Sequence, residues 1–470
     1  MLFNSIEFVV FLPIVFAIYW LIGSARIKSQ NLFLLASSYV FYGWWDYRFL
    51  ALIAFSSVVD FVVGQQLHRT EKFRKGWLAL SLTVNLGLLG FFKYYNFFVD
   101  NFVEAFRFFG QAPDISTLSI ILPVGISFYT FQTLSYTIDI YRRKLGPTKD
   151  FVGFMAYVSF FPQLVAGPIE RATKLLPQFF EKRKFTYAQG RDGMRQILWG
   201  LFKKIVVADT CAIFANDIFS NSAEYGSATL LIGALCFTFQ IYGDFSGYSD
   251  IAIGTAKLFG FNLMTNFRYP YFSRDIAEFW RRWHISLSSW FRDYVYIPLG
   301  GSNGTRKRTL INIFVIFLVS GFWHGANWTF IVWGGLNALY FVPIFLLKKN
   351  RNNLDHVDYF WPGWNNFSHI LFTFSLTVLA WVFFRAENVG HAFDYIVGIF
   401  SFTGGKWHGG DYLPLAALML IIEWTMRKRG FGLDFSAHVP KWLRWTLYSM
   451  CVWLILFFFG EEQAFIYFQF

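Results

Sequence analysis

Charged residues are scarce in this sequence: aspartate, glutamate, lysine and arginine together make up 15% of its 470 residues. A soluble globular domain carries about a quarter of such residues, so the composition argues against a soluble enzyme. Apolar residues make up 55%, and they recur in runs of about 15 to 25 residues, the length that crosses a hydrocarbon core of about 30 Å. Because only helices satisfy their own backbone in lipid at such lengths, we predict an all-α polytopic membrane protein.

Cysteine is also rare, and an N-terminal basic region is missing. Cys211, Cys236 and Cys451 lie in apolar surroundings without paired spacing, so neither a disulfide framework nor a thiolate metal site is indicated. The first residues, "MLFNSIEF", contain Glu7 and no lysine or arginine. We therefore expect the first apolar run to remain as a helix rather than to be removed as a signal peptide.

The basic residues that are present give a net charge of +12 and fall in short clusters between apolar runs. This is the pattern of cytoplasmic loops rather than of a nucleic-acid-binding protein. It predicts that both termini lie outside, with 68–75, 142–150, 171–204, 281–308 and 348–365 in the cytoplasm. The predicted spans lie near 5–22, 31–45, 49–67, 77–97 and 118–140, within 205–260, over 309–347 as a hairpin, and at 366–384, 412–426 and 442–459.

One apolar segment does not have the pattern of a transmembrane helix. The sequence "FVGFMAYVSFFPQLVAGP" contains Pro162, Gly167 and Pro168 and is surrounded by basic clusters. Proline and glycine at this density favour a re-entrant or interfacial segment. We therefore assign 142–204 to a cytoplasmic-side region of that kind.

His324 is the most unusual polar residue, because it lies about 15 residues, or roughly 20 Å, into the apolar run that begins at residue 309. Ionisable groups at such a depth are rare and usually line a cavity. Asn327 and Trp328 are expected one helical turn later on the same face. Two interpretations remain open from position alone: a histidine that donates to a backbone carbonyl between helices, and a base that activates a hydroxyl group.

His284 occurs in "FWRRWHISLSSWFRD", an amphipathic segment expected to lie in the membrane interface. If the segment is one helix, His284, Ser288 and Arg292 share a face at four-residue spacing. An interfacial anchor and a catalytic role are both compatible with this spacing. No His-x-x-x-His spacing exists, so a metal site is rejected.

The run "QIYGDFSGYSDIAIG" places Asp244, Ser246, Ser249 and Asp250 among apolar residues. Buried carboxylates need partners, and the arginines of 281–292 are the candidates. This composition favours a structural network over direct catalysis.

Several long motifs resemble the membrane-bound O-acyltransferase superfamily, and within it the bacterial branch of alginate O-acetyltransferase membrane subunits. They are "ILPVGISFYTFQ", "FPQLVAGPI", "DFSGYSDIAIG", "EFWRRWHISLSSWFRDYVYIPLGG" and "SGFWHGANWTFIVWG". The resemblance implies a single domain over 1–470 with about 10–11 transmembrane helices and re-entrant helices around a central tunnel. Its parts would be N-terminal helices (1–141), the cytoplasmic-side region (142–204), a catalytic core (205–347), and C-terminal helices with an external tail (348–470).

The resemblance also implies roles for individual residues. His324 corresponds to the active-site histidine and His284 to the second characteristic position. The expected residues that bind the donor or stabilise the oxyanion are Arg281, Arg282, Arg292, Ser288, Asn327 and Trp328. No cofactor is expected to be bound permanently; the donor is an acyl thioester, either acetyl-coenzyme A or a phosphopantetheine arm on an acyl carrier protein.

The implied function is transfer of an acetyl group toward a cell-envelope or exported polysaccharide by a multi-pass protein of the bacterial inner membrane. The expected partners are membrane lipids, the polysaccharide, a secreted or membrane-anchored SGNH-type acetyltransferase and, in the second donor scheme, an acyl carrier protein. The alternatives are a D-alanyl or lipid O-acyltransferase of the same superfamily and a proton-coupled transporter. A transporter would be expected to contain inverted repeats, and the sequence shows none.

The terminal sequence "FIYFQF" contains Tyr467. One interpretation is an aromatic belt at the membrane interface. The other is a tyrosine that carries the acyl group transiently, because one hydroxyl near the tunnel mouth would divide the path into two transfers.

Overall fold

The computed structural model describes residues 1–108, 117–354, 361–435 and 439–460, together with Gln463, Phe465 and Ile466. Within these residues the secondary structure is helical and contains no strand. The all-α prediction is therefore confirmed. Tyr467 lies outside the described residues.

The helices follow the apolar runs of the sequence. The first eight are α1 (Ile6–Ile22), α2 (Ile27–Gly43), α3 (Leu50–Arg69), α4 (Arg74–Phe108), α5 (Ile126–Tyr141), α6 (Phe151–Val158), α7 (Phe161–Leu164) and α8 (Ala172–Leu175). The others are α9 (Tyr187–Leu201), α10 (Asp209–Ser220), α11 (Ser227–Leu258), α12 (Ile276–Arg282), α13 (Ile285–Phe291), α14 (Arg306–His324), α15 (Trp328–Leu346), α16 (Trp364–Arg385), α17 (Val389–Phe400), α18 (Leu413–Thr425) and α19 (Lys441–Phe458).

Five of the described helical segments are long and apolar enough to cross a membrane: Tyr47–Arg69, Arg74–Phe108, Ser227–Leu258, Trp328–Leu346 and Trp364–Arg385. Shorter apolar helices accompany them. The chain is thus a multi-pass membrane protein, and the larger number of spans expected from the sequence stays a prediction. The described residues divide into two compact units, one formed by Met1–Gly190 and Thr255–Met264 and the other by Arg191–Gly254 and Thr265–Phe470.

In the first unit, a polar cluster joins α3, α4 and α5. Asp60 on α3 accepts hydrogen bonds from Ser81 Oγ at 2.6 Å and from Asn85 Nδ2 at 2.8 Å, both on α4. Thr133 Oγ1 on α5 donates to Asn85 Oδ1 at 3.2 Å, and Thr137 Oγ1 lies 3.0 Å from Ser81 Oγ. A buried carboxylate is tolerated only with such partners, so this cluster fixes how the three helices pack.

The piece with Pro162 and Gly167 forms two short helices, α6 and α7, of eight and four residues. Residues of both helices are buried within the first unit, Phe160 and Phe161 completely. Neither helix is long enough to span a bilayer. The assignment of 142–204 to a re-entrant or interfacial region stays a prediction.

In the second unit, α14 and α15 form the predicted hairpin, and they approach each other very closely at two glycines. A Cβ atom on Gly321 would collide with the carbonyl oxygen of Phe330, and one on Gly334 would collide with that of Phe317. The absence of side chains here lets the two helix backbones touch, as small residues do in membrane helix pairs.

Other predicted boundaries differ from the structure. Helix α5 begins at Ile126 rather than near 118, and α4 extends to Phe108. The 12-residue helix α17 was not predicted. The region 205–260 contains α10 and α11, and α9 continues into α10 through a π-helical turn, Phe202–Ala208.

Candidate active site

His324 is the last residue of α14, at a break in the hairpin. Gly325 follows in an extended conformation, and Asn327 caps α15 by accepting a hydrogen bond from the Thr329 amide at 3.0 Å. A Cβ atom on Gly325 would collide with the ring of Phe330. The local sequence therefore stops one helix and starts the next within three residues, and it leaves His324 buried at the end of α14 with 3% of its surface exposed.

Aromatic rings surround His324. Its ring centroid lies 4.9 Å from that of Trp323, 5.1 Å from Trp333 and 5.3 Å from Phe384. The interplanar angles are 75°, 87° and 71°, so the contacts are edge to face, the geometry that aromatic quadrupoles favour. These rings restrict the orientation of the imidazole and keep bulk water away from its sides.

His284 also lies at a helix break, between α12 and α13. Its φ of +43° is in the left-handed region, which is uncommon for residues other than glycine. The segment is therefore not the single helix considered from its spacing. Two backbone hydrogen bonds to the segment 266–268 stabilise the break: Ile285 N donates to Asn266 O at 2.9 Å, and Arg268 N donates to Arg282 O at 2.9 Å.

The buried side chain of Asn266 sets the tautomer of His284. Its Oδ1 atom accepts from the Ser286 amide at 3.3 Å and from Ser286 Oγ at 2.8 Å, and it lies 3.0 Å from His284 Nδ1. A backbone amide only donates, so the Asn266 atom in this position must be the oxygen. His284 Nδ1 must then carry the proton, and Nε2 carries the lone pair.

His284 Nε2 is buried and has no hydrogen-bond partner among the residues that the structure describes. The residue lies outside the five candidate spans, and burial lowers the pKa of His284 to about 3. The ring is therefore neutral at physiological pH. Its Nε2 atom is an oriented acceptor for a hydroxyl group.

The fold brings the two histidines together although they lie 40 positions apart in the sequence. The Trp323 ring lies 6.1 Å from His284 and 4.9 Å from His324. A second path of rings runs from Trp283 through Trp381 to Trp333, with centroid distances of 5.0 and 5.5 Å. Both histidines thus belong to one aromatic site.

A cavity of about 270 Å³ lies beside α14. Its wall includes Ile316, Phe317 and Ser320 from this helix, and Ser288 and Arg292 from the segment after His284. Ser320 precedes His324 by four residues, about one helical turn. The lining is mainly apolar, with a few polar groups, which suits an organic ligand with an extended chain.

The residues expected to bind the donor are found in different surroundings. Ser288 and Arg292 line the cavity, whereas Arg281 donates to the carbonyl oxygens of Asn350 and Asn353. Arg282 is buried and forms an ion pair with Glu278.

The two residues after the hairpin break do not share the helical face of His324. Asn327 Nδ2 donates to the Glu387 carbonyl oxygen at 2.9 Å, and Trp328 is 54% exposed. The expectation of a common face was wrong because α14 ends at His324.

The sequence did not predict that Lys203 and Lys204 are buried, because "FKK" was interpreted as a cytoplasmic basic cluster. Both are buried, with 3% and 1% of their surface exposed. Lys203 pairs with Asp250, and Lys204 Nζ lies 2.9 Å from Asp244 Oδ1. These lysines therefore neutralise the carboxylates on α11. The sequence analysis had proposed the arginines of 281–292 as their partners, and that expectation was wrong.

Comparison with known proteins adds to this geometry. The family model described as "MBOAT, membrane-bound O-acyltransferase family" matches residues 142–384, which include both histidines. The chain belongs to the membrane-bound O-acyltransferase family. This O-acyltransferase is 42% identical to a probable alginate O-acetylase, AlgI, of Pseudomonas aeruginosa over 87% of this chain and 76% of the relative.

Two further relatives define the range of similarity. A peptidoglycan O-acetyltransferase of Helicobacter pylori is 32% identical to this O-acyltransferase over 100% of this chain and 98% of the relative. A teichoic acid D-alanyltransferase of Streptococcus thermophilus is 30% identical over 51% of this chain and 61% of the relative. The protein is thus an O-acyltransferase with several membrane-associated helices, and its two buried histidines are the candidate catalytic residues.

Proposed function

We propose that this enzyme moves an acetyl group from a cytoplasmic thioester across the bacterial inner membrane toward a cell-envelope or exported polysaccharide. A secreted or membrane-anchored SGNH-type acetyltransferase completes the transfer to the polymer. The names of the relatives that match most of this chain support the acceptor class, because alginate and peptidoglycan are both polysaccharides. The D-alanyl relatives match only about half of the chain.

The observation that carries the proposal is the position of His324, buried in an aromatic cage one helical turn beyond a cavity that suits a thioester arm. The acceptor hydroxyl oxygen attacks the thioester carbonyl carbon, and the carbon–sulfur bond breaks. His324 takes the hydroxyl proton and returns it to the departing thiolate. An alcohol needs such a base because its own pKa lies far above neutrality.

His284 has a separate role in this scheme. Its Nε2 lone pair is fixed by the hydrogen bond from Nδ1–H to Asn266. A neutral imidazole accepts a hydrogen bond but, with its pKa lowered to about 3, it does not hold a proton near pH 7. We assign it to the orientation of the acceptor hydroxyl group.

The cavity is the proposed binding place for the phosphopantetheine arm, which acetyl-coenzyme A and acyl carrier proteins share. Its apolar wall suits the arm, and Arg292 in the same wall is a cation that can bind a phosphate. Arg281 and Arg282 are already engaged within the protein, so we assign them to support of the segment rather than to the donor.

We retain Tyr467 as the acyl carrier between the two sides of the membrane. In this scheme the phenol oxygen of Tyr467 is the first acceptor, and the resulting tyrosine ester is the substrate of the secreted acetyltransferase. Two residues that precede Tyr467, Phe465 and Ile466, are buried in the second unit, which supports a tail that enters the site.

The test uses membrane vesicles that contain the enzyme and acetyl-coenzyme A labelled in the acetyl group. His324→Gln removes the proton acceptor and keeps a polar side chain, so transfer of label into alkali-labile ester is expected to fall by about 100-fold or more. His369→Gln is the matched control, because His369 is exposed on α16. Near-normal transfer by a well-expressed, monodisperse His324→Gln enzyme would exclude His324 from the mechanism.

A further inference from the structure

The C-terminal tail is bound through its main chain. The amide of Ile466 donates to Asp244 Oδ2 at 2.7 Å, and the carbonyl oxygen of Gln463 accepts from Lys204 Nζ at 3.2 Å. Both protein groups are buried, with at most 2% of their surface exposed. Two opposite charges thus bind one donor and one acceptor of the same short peptide segment.

The hydrogen-bond capacity of Lys204 matches this arrangement. An ammonium group has three N–H donors. Lys204 Nζ donates to Asp209 Oδ1 at 2.6 Å and to Gln463 O at 3.2 Å, and it forms an ion pair with Asp244 Oδ1 at 2.9 Å. One of its two hydrogen-bond acceptors is thus the tail itself. Loss of the tail would leave a buried donor without its partner, which is costly in a low-dielectric interior.

Side-chain packing places the tail near His284. The Phe465 ring is completely buried, with its centroid 4.3 Å from Tyr248 and 6.3 Å from Phe245. Phe245 in turn packs edge to face on His284, with centroids 4.6 Å apart. The tail is therefore two ring contacts away from His284.

The π-helical turn explains how Lys204 reaches this position. In a regular α-helix, successive side chains point about 100° apart, so two adjacent lysines would not both face α11. The wider turn Phe202–Ala208 lets Lys203 pair with Asp250 while Lys204 pairs with Asp244. Such turns are frequent at functional sites.

We propose that Lys204 and Asp244 are positioning residues that bind the main chain at Gln463 and Ile466 and hold the tail at the His284 side of the active site. The role rests on the proposed acyl transfer, to which the tail contributes. Because the two polar contacts are made by backbone groups, they do not depend on which side chains the tail carries at 463 and 466.

The first experiment measures hydrogen–deuterium exchange of the full-length enzyme in detergent. In Lys204→Met the peptide that covers residues 459–470 is expected to exchange about tenfold faster than in wild type. Lys203→Met is the matched control, since it removes an adjacent buried lysine that pairs with Asp250 and not with the tail. Equal exchange of this peptide in the two variants would overturn the proposal.

The second experiment leaves the buried charges intact. Ile466→Pro removes the amide that donates to Asp244, whereas Ile466→Ala keeps it and shortens only the side chain. Label transfer in vesicles is expected to fall about tenfold in the proline variant relative to the alanine variant. Equal activity of the two would show that the main-chain contact positions nothing. If wild-type vesicles transfer no label, the acyl-transfer function fails, and the exchange experiment alone still decides whether Lys204 holds the tail.

Discussion

At the residue scale, Asn266 controls which ring nitrogen of His284 carries the proton. A backbone amide fixes the position of its oxygen, so the proton of the imidazole lies on Nδ1. A histidine that is buried, neutral and at a positive φ is costly to keep. Its strained position beside His324, the candidate catalytic base, is consistent with a functional constraint.

A pH-dependent stability follows from this burial. The pKa of His284 is lowered to about 3 in the folded protein, against about 6.5 in an unfolded chain. The unfolded state therefore binds a proton first, and stability that is present above about pH 6.5 is lost as the pH falls toward 3, at no more than about 1.4 kcal/mol per pH unit.

His284→Asn is the variant that tests this dependence. Asparagine tolerates a positive φ, and its amide replaces the Nδ1 donor without titrating. Between about pH 7 and about pH 5, the melting temperature of the purified enzyme is expected to fall more steeply for wild type than for His284→Asn. The variant is also expected to lose acyl transfer. Parallel pH curves for the two proteins would contradict the assignment of a neutral His284.

Tyr467→Phe addresses the tail at the level of one oxygen atom. The variant keeps the aromatic surface and removes only the nucleophile. If Tyr467 carries the acyl group, acetylation of the polymer is expected to stop while thioester binding persists. Wild-type acetylation would instead identify the terminal aromatic residues as a membrane anchor. Tyr467→Trp, which also lacks the phenol, is expected to behave like Tyr467→Phe in the first case.

Sequence reasoning identified both histidines but not the residues that support them. His324 was conspicuous because a histidine is rare deep in an apolar run. Asn266 is a single polar residue in a short connection, and nothing in its local pattern indicates that it faces a residue 18 positions later. Long-range partners of this kind are set by tertiary packing, which periodicity does not encode.

At the element scale, the α14–α15 hairpin ties the position of His324 to small residues. The Phe330 ring packs on Phe384 with centroids 4.8 Å apart, and Phe384 packs on His324. Gly325 leaves the space in which Phe330 lies. A larger residue at this glycine would therefore displace Phe330 and, through Phe384, the ring of His324.

We expect Gly325→Ala to displace Phe330 and to lower both acyl transfer and thermal stability, with a stability loss of about 1–3 kcal/mol, as in other overpacked cores. Gly335→Ala on α15 is the control, because its Cβ would meet only the Leu318 side chain at an ordinary 3.8 Å. Wild-type activity in Gly325→Ala would mean that the break does not position His324. Label transfer and detergent thermal melts provide the two measurements.

The elements that the sequence predicted well are those with uniform apolar runs, such as α1, α16 and α19. The sequence-based prediction failed where residues of a normally exposed type are buried. The segment "FKK" has the composition of a cytoplasmic loop, yet Lys203 pairs with Asp250 and Lys204 with Asp244, both on α11 and at least 40 positions later. No local rule distinguishes a buried lysine from an exposed one when its partner is distant in the chain.

At the scale of the whole molecule, the orientation across the membrane remains a prediction from the lysine and arginine distribution. Removing Lys203 and Lys204 from the count leaves 171–204 basic, so the predicted side of this region does not change.

Cysteine labelling tests the orientation directly. Lys307 and Ala223 are both exposed, whereas the three native cysteines are buried. An impermeant thiol reagent added outside intact cells is expected to label Ala223→Cys and not Lys307→Cys. Labelling of both positions after permeabilisation is the control for accessibility. The reverse pattern in intact cells would invert the topology.

The polar cluster around Asp60 can form early during translation. All of its members lie within the first 141 residues, so the nascent chain acquires a completed hydrogen-bonded contact between α3, α4 and α5 while the second unit is still untranslated. Tyr19 and Trp20, however, donate to the carbonyl oxygens of Phe259 and Leu258. A ribosome stalled before these residues would leave α1 with two unsatisfied donors, a defect that membrane proteases and insertion chaperones are placed to detect.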